Sequence, residues 1–132
     1  MKIATLISRN LLGLAFLIFG LNGFLNFIPQ PPPPGGVAGQ FVGALGASHY
    51  MIPVSALELV AGVLLLANRY VPIALVLLGP IIVNILLFHI LMAPGTIAPG
   101  IIVTVLFLIV FASVRSAFAG IFAAKVENPK GK

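Results

Sequence analysis

Residues 71–92 read VPIALVLLGPIIVNILLFHILM, twenty-two positions without a single Lys, Arg, Asp or Glu. At 1.5 Å per residue a helix of that length extends about 33 Å, enough to cross the roughly 30 Å hydrocarbon core of a bilayer. Similar apolar runs occupy residues 10–28, 50–67 and 97–118, each near the roughly 20 residues that a spanning helix needs. Of the 132 residues, 61% are hydrophobic and 7% charged, with mean hydropathy +1.23. A soluble domain of this size has too little interior to hide so much apolar side chain. The sequence therefore predicts an all-α membrane protein, one integral membrane domain over residues 1–132. Its fold is a four-transmembrane-helix bundle, and residues 119–132 form a basic cytoplasmic tail.

Each predicted boundary carries a local signal. Pro53, Pro72 and Pro99 fall near the starts of the second, third and fourth spans, where a missing N–H costs no helical bond. Tyr50 and Tyr70 sit at span ends, as interfacial anchors do. Lys2 and Arg9 ahead of an apolar run also fit the start of a signal peptide, with Gly36 and Ala38 as small residues for cleavage. That run exceeds the usual h-region of about 7–15 residues, so a span is the better reading. Pro31 to Pro34, followed by Gly35 and Gly36, breaks any helix and predicts an extended loop. Beyond it, Val37, Phe41, Ala44, Leu45 and Ser48 recur at helical spacing, which predicts a short outer interfacial or re-entrant helix between the first and second spans.

The pI near 10.3 and net charge of +5 do not point to nucleic acid, because the basic residues mark the ends of apolar runs instead of clustering with groove-reading side chains. Lys2, Arg9, Arg69, Arg115, Lys125, Lys130 and Lys132 all fall on one side of a four-span bundle. The connections 29–49 and 93–96 carry no Lys, Arg, Asp or Glu, so the positive-inside rule places both termini and the Arg69 loop in the cytoplasm. The absence of cysteine excludes disulfides, thiolate metal sites and thiol redox chemistry within this polypeptide. No intrinsic cofactor is expected, and any redox role requires a borrowed one, such as a bound quinone.

The chemically informative residues are the polar ones within the spans. Glu58 is the one acidic residue in any span, near the middle of the second, where a charge costs at least about 2.5 kcal/mol. It must face the bundle interior or water, either as a proton-handling group or as a neutral hydrogen-bond donor tying two helices together. Counting residues from the ends puts Asn22 and Asn26 in the outer half of the first span, Asn84 just beyond the middle of the third and His89 near its outer end. These five residues predict a pocket open to the outer side. Glu58 and His89 are its candidate catalytic residues and Asn22, Asn26 and Asn84 its candidate substrate-binding residues, although asparagines in membrane helices also serve as interhelical glue. His49 and His89 without a CxxCH give no haem signature, and no metal-ligand cluster is present. Pro80 in the third span predicts a kink and frees a carbonyl near Val76. Gly13, Gly20 and Gly23 in the first span, and Ala61 with Gly62 in the second, predict close helix contacts.

The run Phe19, Gly20, Leu21, Asn22, Gly23, Phe24, followed by Pro29, Pro31 and Pro32, resembles the opening of small DoxX-like membrane proteins. The likeness continues through Tyr50, Pro53, Glu58, Leu59, Ala61 and Gly62, then Asn68 to Pro72, and Pro80, Asn84, Ile85 and His89, so that it covers roughly residues 10 to 115. The resemblance implies a four-helix inner-membrane protein related to the DoxD subunit of thiosulfate:quinone oxidoreductase, with Asn22, Glu58, Asn84 and His89 as the marked positions. It implies a quinone-linked membrane subunit working with a redox partner protein. A proton-coupled small-solute carrier and a structural or assembly subunit without ligand are the competing readings. Expected partners are the lipid bilayer, that redox protein and further copies of this chain. The topology has a direct test: a C-terminal reporter active only in the cytoplasm is expected to work, and periplasmic activity at that position refutes the orientation.

Overall fold

A computed structural model of the chain describes residues 2–29 and 32–128. Pro31, Lys130 and Lys132, on which the sequence reading drew, lie outside the described residues. The described residues are helical with turns and no strand: α1 (Lys2–Leu25), α2 (Gly36–Ala47), α3 (Met51–Ala67), α4 (Val71–Met92) and α5 (Ala98–Val114), with a 3-10 turn over Arg115–Phe118. Helix α1 starts eight residues before the predicted first span and stops three residues short of its end, at Leu25. Helix α2 falls where the spacing of Phe41 and Leu45 put it.

Three of these helical stretches, Lys2–Leu25, Val71–Met92 and Ala98–Phe118, are long and apolar enough to cross a membrane. Helix α3, with 17 residues, extends about 26 Å, and it qualifies when taken with α2 as a pair bent by 83°. The outward faces agree with a lipid surround, since Leu14, Ile18, Val63, Val83, Ile102 and Leu108 are all exposed. This is an all-α membrane bundle with three to four candidate spans.

Helices α1, α3, α4 and α5 pack in a ring, α1 on α3, α3 on α4, α4 on α5 and α5 back on α1, with α1 against α3 the most extensive pair. Leu12, Phe16, Leu65, Leu75, Leu78 and Val110 fill the centre of the ring. The α1–α3 pair runs antiparallel with its backbones touching. A Cβ at Gly20 would lie 2.6 Å from the Leu59 nitrogen and 2.8 Å from the Ser55 carbonyl oxygen. The arrangement is reciprocal, because a Cβ at Gly62 would lie 2.6 Å from the Leu17 nitrogen and 2.8 Å from the Gly13 oxygen. Gly20 and Gly62, both singled out in the sequence, thus sit where no larger residue fits.

Helix ends are settled by backbone chemistry. Asn68 adopts the left-handed conformation (φ 54°), its N–H donates to the Leu65 carbonyl (3.2 Å) and the Arg69 N–H to that of Leu64 (3.0 Å), a Schellman closure of α3. The Arg9 guanidinium also donates to the Leu65 carbonyl, tying the start of α1 to the end of α3. Helix α4 runs unbroken through Pro80.

Replacing Gly20 with alanine drives a methyl into backbone that cannot rotate away, so Gly20→Ala is expected to lower stability in detergent by about 1–3 kcal/mol. Gly23 is different, since its Cβ would meet only the Ser55 side chain (1.8 Å to Oγ). Thermal unfolding should therefore show Gly23→Ala destabilising the parent but not a Ser55→Gly background.

Candidate functional site

Between α2, α3 and α4 lies a pocket of about 320 Å³. Helix α4 supplies Ile81, Asn84, Ile85, Phe88 and His89, a continuous face at spacings of three and four. Helix α3 supplies Met51, Val54 and Glu58, again at helical spacing, and α2 closes the side with Phe41, Val42 and Leu45. Phe41 stacks on Phe88 with ring centroids 5.7 Å apart, and this contact helps hold α2 to the body. The pocket thus reaches from the α2 end of the bundle to the level of Glu58, about 10 Å along α3 by the helical rise from Met51.

Besides the Tyr50 hydroxyl, three polar groups on its wall are differently committed. Glu58 is 6% exposed, on the buried stripe that also carries Ser55, Gly62 and Leu65. Its carboxyl makes no hydrogen bond to any described residue, yet among the described residues no fully buried side-chain oxygen lacks a partner, so the carboxyl oxygens keep some accessible surface on a residue that lines the pocket. The Asn84 amide donates to the Pro80 carbonyl at 2.8 Å, leaving its oxygen uncommitted. His89 Nδ1 lies 2.8 Å from the Ile85 carbonyl. A carbonyl only accepts, so Nδ1 carries the proton, and with a single ring proton Nε2 is a bare acceptor. These three groups therefore offer a carboxyl able to release and retake a proton and two acceptors, on a mostly apolar wall.

Of the five residues proposed from sequence, Glu58, Asn84 and His89 come together here, while Asn22 and Asn26 do not. Helix α1 ends at Leu25, so Asn26 is not on its face. It takes the left-handed conformation (φ 51°) and its N–H donates to the Asn22 carbonyl at 2.9 Å. The Asn22 side-chain oxygen accepts the Ile28 N–H at 2.8 Å, closing the chain over the helix end. Both asparagines terminate a helix, a role that asparagine fills because it tolerates positive φ and its side-chain oxygen substitutes for a backbone acceptor. A C-terminal signal was present in the sequence, Asn26 three residues ahead of Pro29. His49, also at positive φ (60°), forms the corner between α2 and α3 and does not line the pocket. Phe41 and Met51 went unrecognised as pocket walls, although the spacing of Phe41 and Leu45 marked an apolar face on α2. Among the described residues no three His, Cys, Asp or Glu side chains gather as a metal site.

No family model, no characterised protein and no solved structure matches the chain.

The different commitments of the asparagines separate in stability measurements. Asn22→Ala removes the acceptor that closes α1 and is expected to cost about 1 kcal/mol. Asn84→Leu, exposed and bonded only within its own helix, is expected to change stability by less than about 0.5 kcal/mol. Unfolding curves of both variants in one detergent check the contrast.

Proposed function

We propose that the chain is a DoxX-like protein that crosses the inner membrane four times with both termini in the cytoplasm. In this reading α2 lies at the outer interface, and the α2–α3–α4 pocket faces outward and holds a quinone on behalf of a redox partner protein. The observation that carries the proposal is the Glu58 carboxyl, nearly buried, without a hydrogen-bonding partner among the described residues and open to a mostly apolar pocket. Such a group in a membrane helix is costly to keep for packing alone, because a neutral side chain of similar volume packs equally well without the desolvation penalty.

The donor set suits a lipophilic ring with oxygen at its edge. Phe88, Ile85 and Val54 provide ring-sized apolar surface, while Asn84 and His89 lie closer than Glu58 to the α2 end. A ligand dissolved in the bilayer reaches such a pocket from the side, its tail left among the exposed leucine and isoleucine faces. A protonated Glu58 donates to a ring carbonyl, and the His89 Nε2 accepts from a ring hydroxyl, so the pocket serves both members of a quinone and quinol couple. A quinone would supply two-electron, two-proton chemistry there. The chain's own residues bind and orient the ring and hold protons at the Glu58 carboxyl and the His89 Nε2. The partner handles the electrons.

Organic extraction of purified protein followed by mass spectrometry tests this reading. Quinone above detergent background is expected in the parent and about two- to tenfold less in Asn84→Leu, the worth of one lost hydrogen bond. Equal content in both, or none in either, puts the carrier and structural readings ahead. Glu58→Gln keeps shape and removes titration, so it is expected to express normally and to lose or pH-shift function. Parental behaviour of that variant across pH ends the proton-handling role.

A further inference from the structure

The opposite end of the bundle holds a second cleft, of about 430 Å³, between the start of α1, the α3–α4 turn and the end of α5. Lys2 and Arg9 bring two positive charges to its wall, joined by Thr5, Asn68 and Ser113, and Val71 and Val110 form a buried apolar floor. The chain has only two acidic residues, Glu58 and Glu127, and neither lines the cleft. The cations therefore face the cleft with no carboxylate in its wall among the described residues.

Arg9 is held in place before any ligand arrives. One of its five N–H groups donates to the Leu65 carbonyl, which fixes the half-buried guanidinium and leaves the other donors for an oxyanion. Ser113 donates its hydroxyl to the Val110 carbonyl (2.6 Å), so toward the cleft it only accepts. The charge that attracts an anion thus comes from the two cations, with the Thr5 hydroxyl and the Asn68 amide beside them as neutral donors, a set whose chemistry suits a phosphate group. The apolar floor, and the exposed Ile3, Leu6 and Ile7 along the adjoining side of α1, favour a phosphate that carries acyl chains over a free one.

We propose that this cleft binds the phosphodiester of an anionic phospholipid between Lys2 and Arg9. The site is independent of the quinone pocket and stands or falls separately from it.

Native mass spectrometry of the full chain, offered phosphatidylglycerol and phosphatidylcholine with identical acyl chains, provides the test. The parent is expected to retain phosphatidylglycerol preferentially. Lys2→Glu should weaken that retention about 25-fold, two units of charge at about fivefold each. Lys125→Glu alters net charge equally but lies outside the cleft, and it should stay within about twofold of the parent. Ser113→Asp, which places a carboxylate on the α5 wall, should reproduce the loss without altering α1. No preference in the parent, no loss in Lys2→Glu and Ser113→Asp, or an equal loss in Lys125→Glu overturns the proposal. Displacement of the lipid by millimolar inorganic phosphate overturns it too, and assigns the cleft to a free anion.

Discussion

The backbone contact between α1 and α3 sets the geometry of everything else in this bundle. Lipid is as apolar as leucine, so helices in a membrane gain little from burying hydrophobic side chains against each other and depend on close approach. Gly20 and Gly62 allow that approach from both sides, each leaving room for the backbone of the other helix. The contact fixes α3 in depth and rotation, which in turn aims Glu58 away from lipid. Arg9 repeats the constraint at one end by reaching the last turn of α3.

A helix held so tightly on one side leaves its open space to the other. The pocket opens where α3 faces α4, and there the wall is completed by α2, whose link to the body includes the stacking of Phe41 on Phe88. The bundle thus has one side packed at backbone distance and one side with space. The near-buried carboxyl stands between them, on the stripe it shares with Ser55 and Gly62. A carboxyl on an exposed face of α3 would meet hydrocarbon, and one turned fully into the α1 contact would have no room.

Much of this was legible in the residues. Small residues in two apolar runs announced close helix contacts without naming the partner, prolines marked helix starts, and the polar residues within the spans marked Glu58, Asn84 and His89. Two things were not. Periodicity shows which face a residue occupies but not where a helix stops, so Asn22 and Asn26 read as facing residues when they are terminating ones. The pocket was also expected to draw on the first span through Asn22 and Asn26, yet its walls come from α2, α3 and α4. Gly20 and Gly62 bring α1 and α3 to backbone contact and leave no volume for a pocket between those two helices.

The tight pair has a consequence for biosynthesis. Gly20 and Leu59 are joined by roughly 40 residues of chain, and translation at about 5–20 residues per second takes roughly 2–8 s to supply them. During that interval α1 has left the ribosome with its glycine groove unmatched, because the strip of α3 that fits it has not yet been made. An insertion machinery that shelters the first helix until the third emerges would shield the groove from other helices carrying small residues, including the nascent α1 of a neighbouring copy.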